Sequence, residues 1–575
     1  MNPILATDGY KTSHIKMYPQ NITKVYSNYT CRSTKRMPNK VDDIVVFGIQ
    51  YMCKYINDLW NAEFFKKDKN IVCNEAKEYL CSYLGTEYDI SHFEKLHDLG
   101  YLPIQIKALP EGCIVKEGIP IFTIVNTHPD FFWVTNFLET LISTIIWKPV
   151  HSASIAFAYK KLLLRYAKET DKNNVGFVDF QGHDFSFRGM QSVESAISSG
   201  MGFLTSFKGT DTIPALQAVK YYYESINVGF SVPASEHSVM CAHGKEGEID
   251  TLRYLMKQYP NGILSVVSDT WNLWKLITEY LPALKSEIMA RDGKLVIRPD
   301  SGDPVDIICG KSSIVYFKSE DFWELYVERE TFTFQNDGIY YKFDGDALLE
   351  LFEEYGEEVG DNTRTIEDLL KNSIISPLEK QPNVSEQKGV IELLWDIFGG
   401  TINEQGYKVL DSHIGAIYGD SITLERAEQI CERLKAKGFA STNIVLGIGS
   451  YSMGYATRDS QGGAVKSTYV ELEEAFLPTP ESIEYGIRTI GREIFKDPIT
   501  DDGTKKSAKG LLCVKEVLVP DELGKLHHST YKLIDQCTPE EEQGGALSTV
   551  FLNGKLVKRF TLDEIRERLS KNHKI

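Results

Sequence analysis

The chain has 575 residues, 63 basic and 80 acidic side chains and a formal net charge of −17. That length exceeds what one hydrophobic core supports, so two or more domains are expected. The negative field excludes nucleic acid and anionic membrane as long-range partners, while a locally cationic pocket can still capture a phosphate. The abundance of aromatics, 30 Tyr and 28 Phe, excludes long disordered stretches.

In chain order, residues 1–16 show no basic region followed by an apolar core, so a cytoplasmic protein is expected. The stretch 103–126 (PIQIKALPEGCIVKEGIPIFTIVN) alternates apolar and polar residues around Pro-Glu-Gly and Glu-Gly turns, which predicts antiparallel strands. Residues 137–147 are apolar but short and carry Glu139, Thr140, Ser143 and Thr144, which predicts a buried helix and not a membrane span. An early strand is expected near 148–154. The ten cysteines form no CxxC and no zinc-spaced pair with histidine, so scattered buried thiols in a reducing compartment are expected, with no protein-borne metal site.

From 174 onward a rhythm sets in. Strand-like runs at 175–184, 203–211, 226–237, 263–269, 294–300, 414–420 and 443–450 end in polar residues. Helix-like segments at 192–199, 214–223, 246–258, 270–281 and 424–437 lie between most of them. This predicts the α/β class, a TIM-like barrel of parallel strands with its chemistry at the strand C-termini; a doubly wound open sheet is the alternative. Residues 310–405 interrupt the rhythm. They are acidic yet hold Trp323, Phe332, Phe334, Tyr340 and Tyr341, which predicts a folded insertion. The expected organisation is an α+β domain from 1–150 and 464–575, a barrel from 151–309 and 406–463, and the insertion at 310–405.

Candidate chemistry falls at the ends of these runs. Arg298 and Asp300, two apart in RPDSGDP, suit a diphosphate or carboxylate and a ribose or Mg²⁺, or else pair with each other in a turn. Gly419-Asp420 and Gly449-Ser450 follow the last two runs, where barrels commonly hold phosphate. Glu236 and His237 in SVPASEHS offer a base, a metal ligand, a phosphoryl acceptor or a structural histidine. Phe185 and Arg188 in HDFSFRG offer a stacking ring and a phosphate contact, although the aromatics there also suit a core cap.

Taken together, the ordered motifs resemble the nicotinamide phosphoribosyltransferases of the type II phosphoribosyltransferase class. The resemblance runs from ILATDGYKTSHIKMYP through KALPEG, HDFSFRG, FKGTD, SVPASEHS, SVVSD, IRPDSGDP, GD at 419–420, TRD at 457–459 and FKDP to VFLNGKLVK. It spans nearly the whole chain outside the insertion.

The resemblance implies a homodimer with shared active sites. Phe185 would stack on nicotinamide, opposite Tyr10 of a second subunit, and Asp211 would accept from the carboxamide nitrogen. Arg188, Arg298 and Asp300 would surround the phosphoribosyl group, with Gly419, Asp420, Gly449 and Ser450 near the ribose and 5′-phosphate. Arg32, Arg458 and Lys466 would bind diphosphate across the dimer. His237 would be phosphorylated by the co-substrate ATP, supported by Asp269 and flanked by Glu236, and Mg²⁺ would accompany phosphoribosyl pyrophosphate and ATP. Asp211 implies nicotinamide over nicotinate, because a carboxylate accepts from an amide and repels an acid.

The chain departs from the family pattern at Gly9, Ser186-Phe187, Ser421, Ser450 and Ala464. Nicotinate phosphoribosyltransferase is the near rival. A non-catalytic nucleotide-binding or signalling protein on the same scaffold is the distant one.

Overall fold

The structure, a computed structural model, describes residues 1–37, 41–311, 332–336, 339–355, 366–377, 384–419, 421–476, 486–497, 499–500, 507–520 and 526–571. The chain divides into two compact units. One comprises Met1–Leu162, Val178–Ser231 and Ile448–Ile575; the other comprises Leu163–Phe177 and Val232–Gly447.

The first unit is built around a seven-stranded antiparallel sheet to which both chain ends contribute. Ile22–Cys31 lies between Gly463–Phe476 and Pro120–Asn126, and Ile104–Ala108 follows Pro120–Asn126 in the order. The alternation read in 103–126 is visible here, since Ile104, Ile106 and Ala108 are buried while Gln105 and Lys107 are less so.

Beside that sheet a short parallel pair forms, Gly182–Asp184 with Gly209–Thr210, connected through the helix Val193–Phe203. The helix Ile213–Tyr223 follows directly and is tied to the helix Ile49–Trp60 by a buried carboxylate. Glu111 accepts from Gly48 N at 2.9 Å, Gln50 N at 2.6 Å and the Tyr223 hydroxyl at 2.9 Å. The carboxyl oxygens thus satisfy amides at a helix N-terminus, where they have no partner within the helix.

Among the described residues the second unit carries four parallel strands. Leu264–Val267 pairs with Leu295–Arg298, which pairs with Ile414–Tyr418, which pairs with Ile444–Ile448. Most of their residues are buried, as expected of strands covered on both faces. The helix Leu424–Ala436 leads from the third to the fourth. Within 310–405 the described residues form a three-stranded antiparallel sheet, Phe332–Asn336, Ile339–Phe343 and Ile375–Pro377. Its small core includes Phe343, Leu348, Leu369 and Ile374. Parallel strands linked by helices, with an antiparallel α+β region drawn from both chain ends, are the expected α/β class.

Four local expectations fail, one of them the run 203–211, where Phe203 ends the helix Val193–Phe203 and only Gly209–Thr210 is a strand. Residues 148–154 lie inside the helix Glu139–Thr170 and form no strand. Every residue from 148 to 157 is buried, so this part of the helix is covered on all sides and leaves no amphipathic period to read, while Pro149 argues locally against a helix. Most of 175–184 is also helical, Lys172–Phe177 and Val178–Gln181, with a strand only at Gly182–Asp184. Here Asp179 is gripped by Lys160 at 2.5 Å and Lys208 at 2.8 Å, a tertiary clamp that no local pattern announces. The run 226–237 yields only isolated bridges, Gly209 with Phe230 and Ala234 with Ser265.

Candidate active site

In the first unit the chain turns sharply after the strand Gly182–Asp184. Buried Asp184 Oδ1 accepts from Ser186 N at 2.9 Å and from the Ser186 hydroxyl at 2.7 Å, a side-chain turn that holds Phe185 between them. Phe185 N donates to Ile448 O at 3.1 Å. The Phe185 ring lies half-buried against His183, centroids 4.6 Å apart and tilted by 35°.

Asp211 follows the neighbouring strand, and its N–H donates to Asp184 O at 3.0 Å. Its carboxylate is 45% exposed, and Oδ1 meets His183 Nε2 at 2.9 Å and the Ser231 hydroxyl at 2.5 Å. The two donors fix the carboxylate, and one of them, His183, also packs against the Phe185 ring.

The helical turn Phe187–Gly189 carries Arg188, whose side chain faces solvent, and it packs against the turn that begins at Gly449. A Cβ on Gly189 would fall inside the Ser450 side chain, so the serine at 450 is matched by a glycine opposite it. A Cβ on Gly449 would meet nothing within 4 Å, so open space lies over this backbone. Phe185, Arg188, Asp211, Gly449 and Ser450 are therefore held together through the Asp184, Ile448 and Gly189 contacts.

Elsewhere in the first unit, Arg32, Arg458 and Lys466 flank one antiparallel pair. Asn28 registers with Lys466 and Cys31 with Gly463. Arg32 Nε donates to Gly462 O at 3.0 Å, Arg458 pairs with Asp459 at 2.9 Å, and Lys466 lies 3.6 Å from Glu139. Tyr10 is 61% exposed, its ring tilted against His14.

The second unit holds another group at strand ends. His237 begins the helix His237–Ala242 with Glu236 as its N-cap, and the Ser238 hydroxyl donates to Glu236 Oε1. The imidazole is 49% exposed; Nδ1 lies 3.0 Å from the Thr270 hydroxyl and Nε2 lies 3.9 Å from Asp300 Oδ2. Asp269 does not hydrogen-bond His237. Its Oδ2 accepts from Asp300 N at 2.8 Å and the Ser301 hydroxyl at 2.5 Å, so it positions the Asp300 turn that faces the histidine.

Gly419 follows the strand Ile414–Tyr418, and its N–H donates to Pro299 O at 3.3 Å. A Cβ there would lie 2.5 Å from Asp300 Oδ1 and 3.6 Å from Arg298 Nε, so any larger residue would press the Asp300 carboxylate aside. Thus Glu236, His237, Asp269, Arg298, Asp300 and Gly419 converge, while Asp420 lies outside the described residues.

Sequence reasoning missed His183 and Ser231 on Asp211, and Thr270 on His237. Only the Asp184-Phe185-Ser186 turn left a local signal, a carboxylate two residues before a hydroxyl.

Carboxylates, cations and glycine-backed turns at the ends of parallel strands suit transfer of a phosphorylated sugar, and the class they define is the phosphoribosyltransferases. The chain belongs to the nicotinate phosphoribosyltransferase (NAPRTase) family, whose model matches residues 180–554. Residues 2–106 match the N-terminal domain of nicotinamide phosphoribosyltransferase. The chain is 41% identical to the nicotinamide phosphoribosyltransferase of Acinetobacter baylyi, with 99% of this chain and 97% of that one covered. It is 31% identical to the enzyme of the same name from Mycoplasma pneumoniae, covering 88% and 94%, and 29% identical to that of Xanthomonas campestris pv. campestris, covering 98% and 97%.

Proposed function

We propose that this chain joins nicotinamide to phosphoribosyl pyrophosphate, releasing diphosphate and forming nicotinamide mononucleotide for NAD salvage. The pyridine nitrogen donates its lone pair to the anomeric carbon as the bond from that carbon to the diphosphate oxygen breaks. The observation that carries the reading is the Asp211 carboxylate, held by His183 and Ser231 beside the Phe185 ring. It suits a flat ring bearing an amide donor and disfavours a ring bearing a second carboxylate.

Arg188, Gly449 and Ser450 are assigned to the phosphoribosyl group, and Arg298, Asp300, Gly419 and Asp420 to the ribose and its phosphates. Cations beside the departing diphosphate stabilise the charge that gathers there, a task suited to preorganised groups. Arg32, Arg458 and Lys466, together with exposed Tyr10, are assigned to an active site shared with a second copy in a homodimer.

His237 is assigned as an ATP-phosphorylated residue. A proton on Nδ1, donated to Thr270, leaves Nε2 as the nucleophile. The half-exposed imidazole suits attack on a γ-phosphate.

Among the described residues no group of three or more His, Cys, Asp or Glu side chains could by itself hold a metal ion. Asp300 and Asp269, whose Oδ1 is buried without a hydrogen-bond partner, are nevertheless hard oxygen donors of the kind Mg²⁺ accepts. Mg²⁺ is therefore assigned to arrive with the diphosphates, keeping most of its ligands from phosphate and water. When bound it would neutralise charge on the leaving diphosphate.

No helix among the described residues is long and apolar enough to cross a membrane, and a cytoplasmic location is proposed. The test is an assay with nicotinamide and with nicotinate, each with and without ATP. Turnover of nicotinamide that ATP enhances supports the reading, and preferential turnover of nicotinate overturns it.

A further inference from the structure

Behind the Gly449 turn of the first unit lies a buried charge that the reaction above does not use. Lys148, on the helix Glu139–Thr170, is 3% exposed, and its ammonium donates to the Met453 carbonyl at the end of the short helix Ser450–Met453. Tyr159 stands eleven residues further along the same helix, about three turns, and therefore on the same face. Its hydroxyl lies 2.8 Å from Ser452 Oγ. Two residues of one helix face thus hold the turn that starts at Gly449 and Ser450.

The surroundings of Lys148 make its retention informative. Burial pushes its ammonium down to about 8, opposed by the charge of Asp184, the same carboxylate that shapes the turn into Phe185. The other titratable group facing it is His151, fully buried with neither ring nitrogen hydrogen-bonded and pushed down to about 3 by burial and by Lys148. A neutral imidazole offers no counter-charge. Burying an ammonium is costly, and an apolar side chain of similar length would fill the same space at lower cost. The ammonium donates to one carbonyl and lies 5.4 Å from the centre of the Trp147 ring, and a Cβ on Gly449, where the turn it holds begins, would meet open space.

We propose that Lys148 is a positioning residue for the phosphorylated sugar: its ammonium anchors Met453 O so that the Gly449–Ser450 backbone stays presented to a phosphate monoester, and it adds positive charge behind that anion. The inference rests on the reading that Gly449 and Ser450 receive the 5′-phosphate. The field of a cation in a low-dielectric interior reaches an anion across one turn with little screening.

The test uses the full-length enzyme and steady-state kinetics for each substrate. Lys148→Met, which keeps length and removes charge, is expected to raise KM for phosphoribosyl pyrophosphate at least tenfold. KM for nicotinamide and kcat should change less than twofold. Lys148→Arg, which restores the charge, should return that KM to within threefold of the parent. In the parent enzyme the same KM should rise between pH 7 and 9, where His151 stays neutral, and the rise should vanish in Lys148→Met.

An unchanged KM for phosphoribosyl pyrophosphate in Lys148→Met, or an equal loss in every kinetic parameter, overturns the role. Gly449→Val separates the two failures. If it raises that KM while Lys148→Met does not, the phosphate turn stands and Lys148 is idle; if neither does, the phosphate reading falls as well. Should Lys148→Met fail to fold, a flat pH profile in the parent enzyme overturns the proposal on its own.

Discussion

His183 Nε2 lies 2.9 Å from Asp211 Oδ1, the same oxygen that accepts the Ser231 hydroxyl at 2.5 Å. The carboxylate proposed to select the substrate is therefore held by two donors from outside its own strand. Asp211→Asn should lower kcat/KM for nicotinamide about tenfold, the loss of roughly 1.4 kcal/mol of charge-assisted hydrogen bonding. It should also raise the nicotinate-to-nicotinamide ratio of kcat/KM at least tenfold, because the repulsive charge is gone. Measuring both substrates decides the matter, and an unchanged ratio refutes the role of Asp211.

Thr270→Val removes the hydroxyl 3.0 Å from His237 Nδ1 at nearly constant volume. The histidine loses the contact that orients its ring. ATP-dependent enhancement should fall roughly tenfold, the value of one hydrogen bond to a group that becomes charged, while ATP-independent turnover stays within twofold. Equal loss in both assays would show that Thr270 serves the fold and not the histidine.

Ser421 adopts φ +56°, in the left-handed region that side chains other than glycine enter at a cost. Ser421→Gly should stabilise the protein by about 0.5 kcal/mol, the relief of backbone strain less the entropy glycine loses on folding. Denaturant unfolding reads the difference, and a destabilised variant would mean that the serine hydroxyl supplies more than the strain removes.

Acid stability should depend on two histidines, His151, which is buried, and His92, which is partly buried. Burial pushes His92 down to about 4, with Asp89 opposing, and burial with Lys148 pushes His151 down to about 3. Both sit near 6.5 when unfolded. Between these values the unfolded chain binds more protons than the folded one, so stability is complete above about pH 6.5 and declines as pH falls. Each histidine contributes a slope of about 1.4 kcal/mol per pH unit in that window. Urea unfolding at pH 7, 6 and 5 should show this slope, and His92→Leu or His151→Leu should each remove one histidine's share. Identical slopes in parent and variants would contradict the assignment.

Much of the scaffold was legible because periodicity reports burial. The runs at 263–269, 294–300, 414–420 and 443–450 became strands within a residue or two of where apolar character ends, since both faces of those strands are covered. The run at 175–184 failed where distant partners hold Asp179, and the run at 226–237 failed to form a regular strand. Lys160 and Lys208 clamp Asp179 into a helical turn, and 226–237 forms only single bridges. The stretch 148–154 failed because the helix there is buried on every side and carries a proline, so no amphipathic period marks it.

The sequence by itself determined which residue types stand at which strand ends, because motif order and apolar spacing are written along the chain. Tertiary structure alone decided which of them touch. It set His183 and Ser231 on Asp211, Thr270 on His237, Asp269 under Asp300 and Lys148 under Met453. Those partners are separated by between 20 and 305 residues. No local pattern encodes such a pairing, since it arises only when packing of the helices and sheets brings remote backbone turns within hydrogen-bond reach.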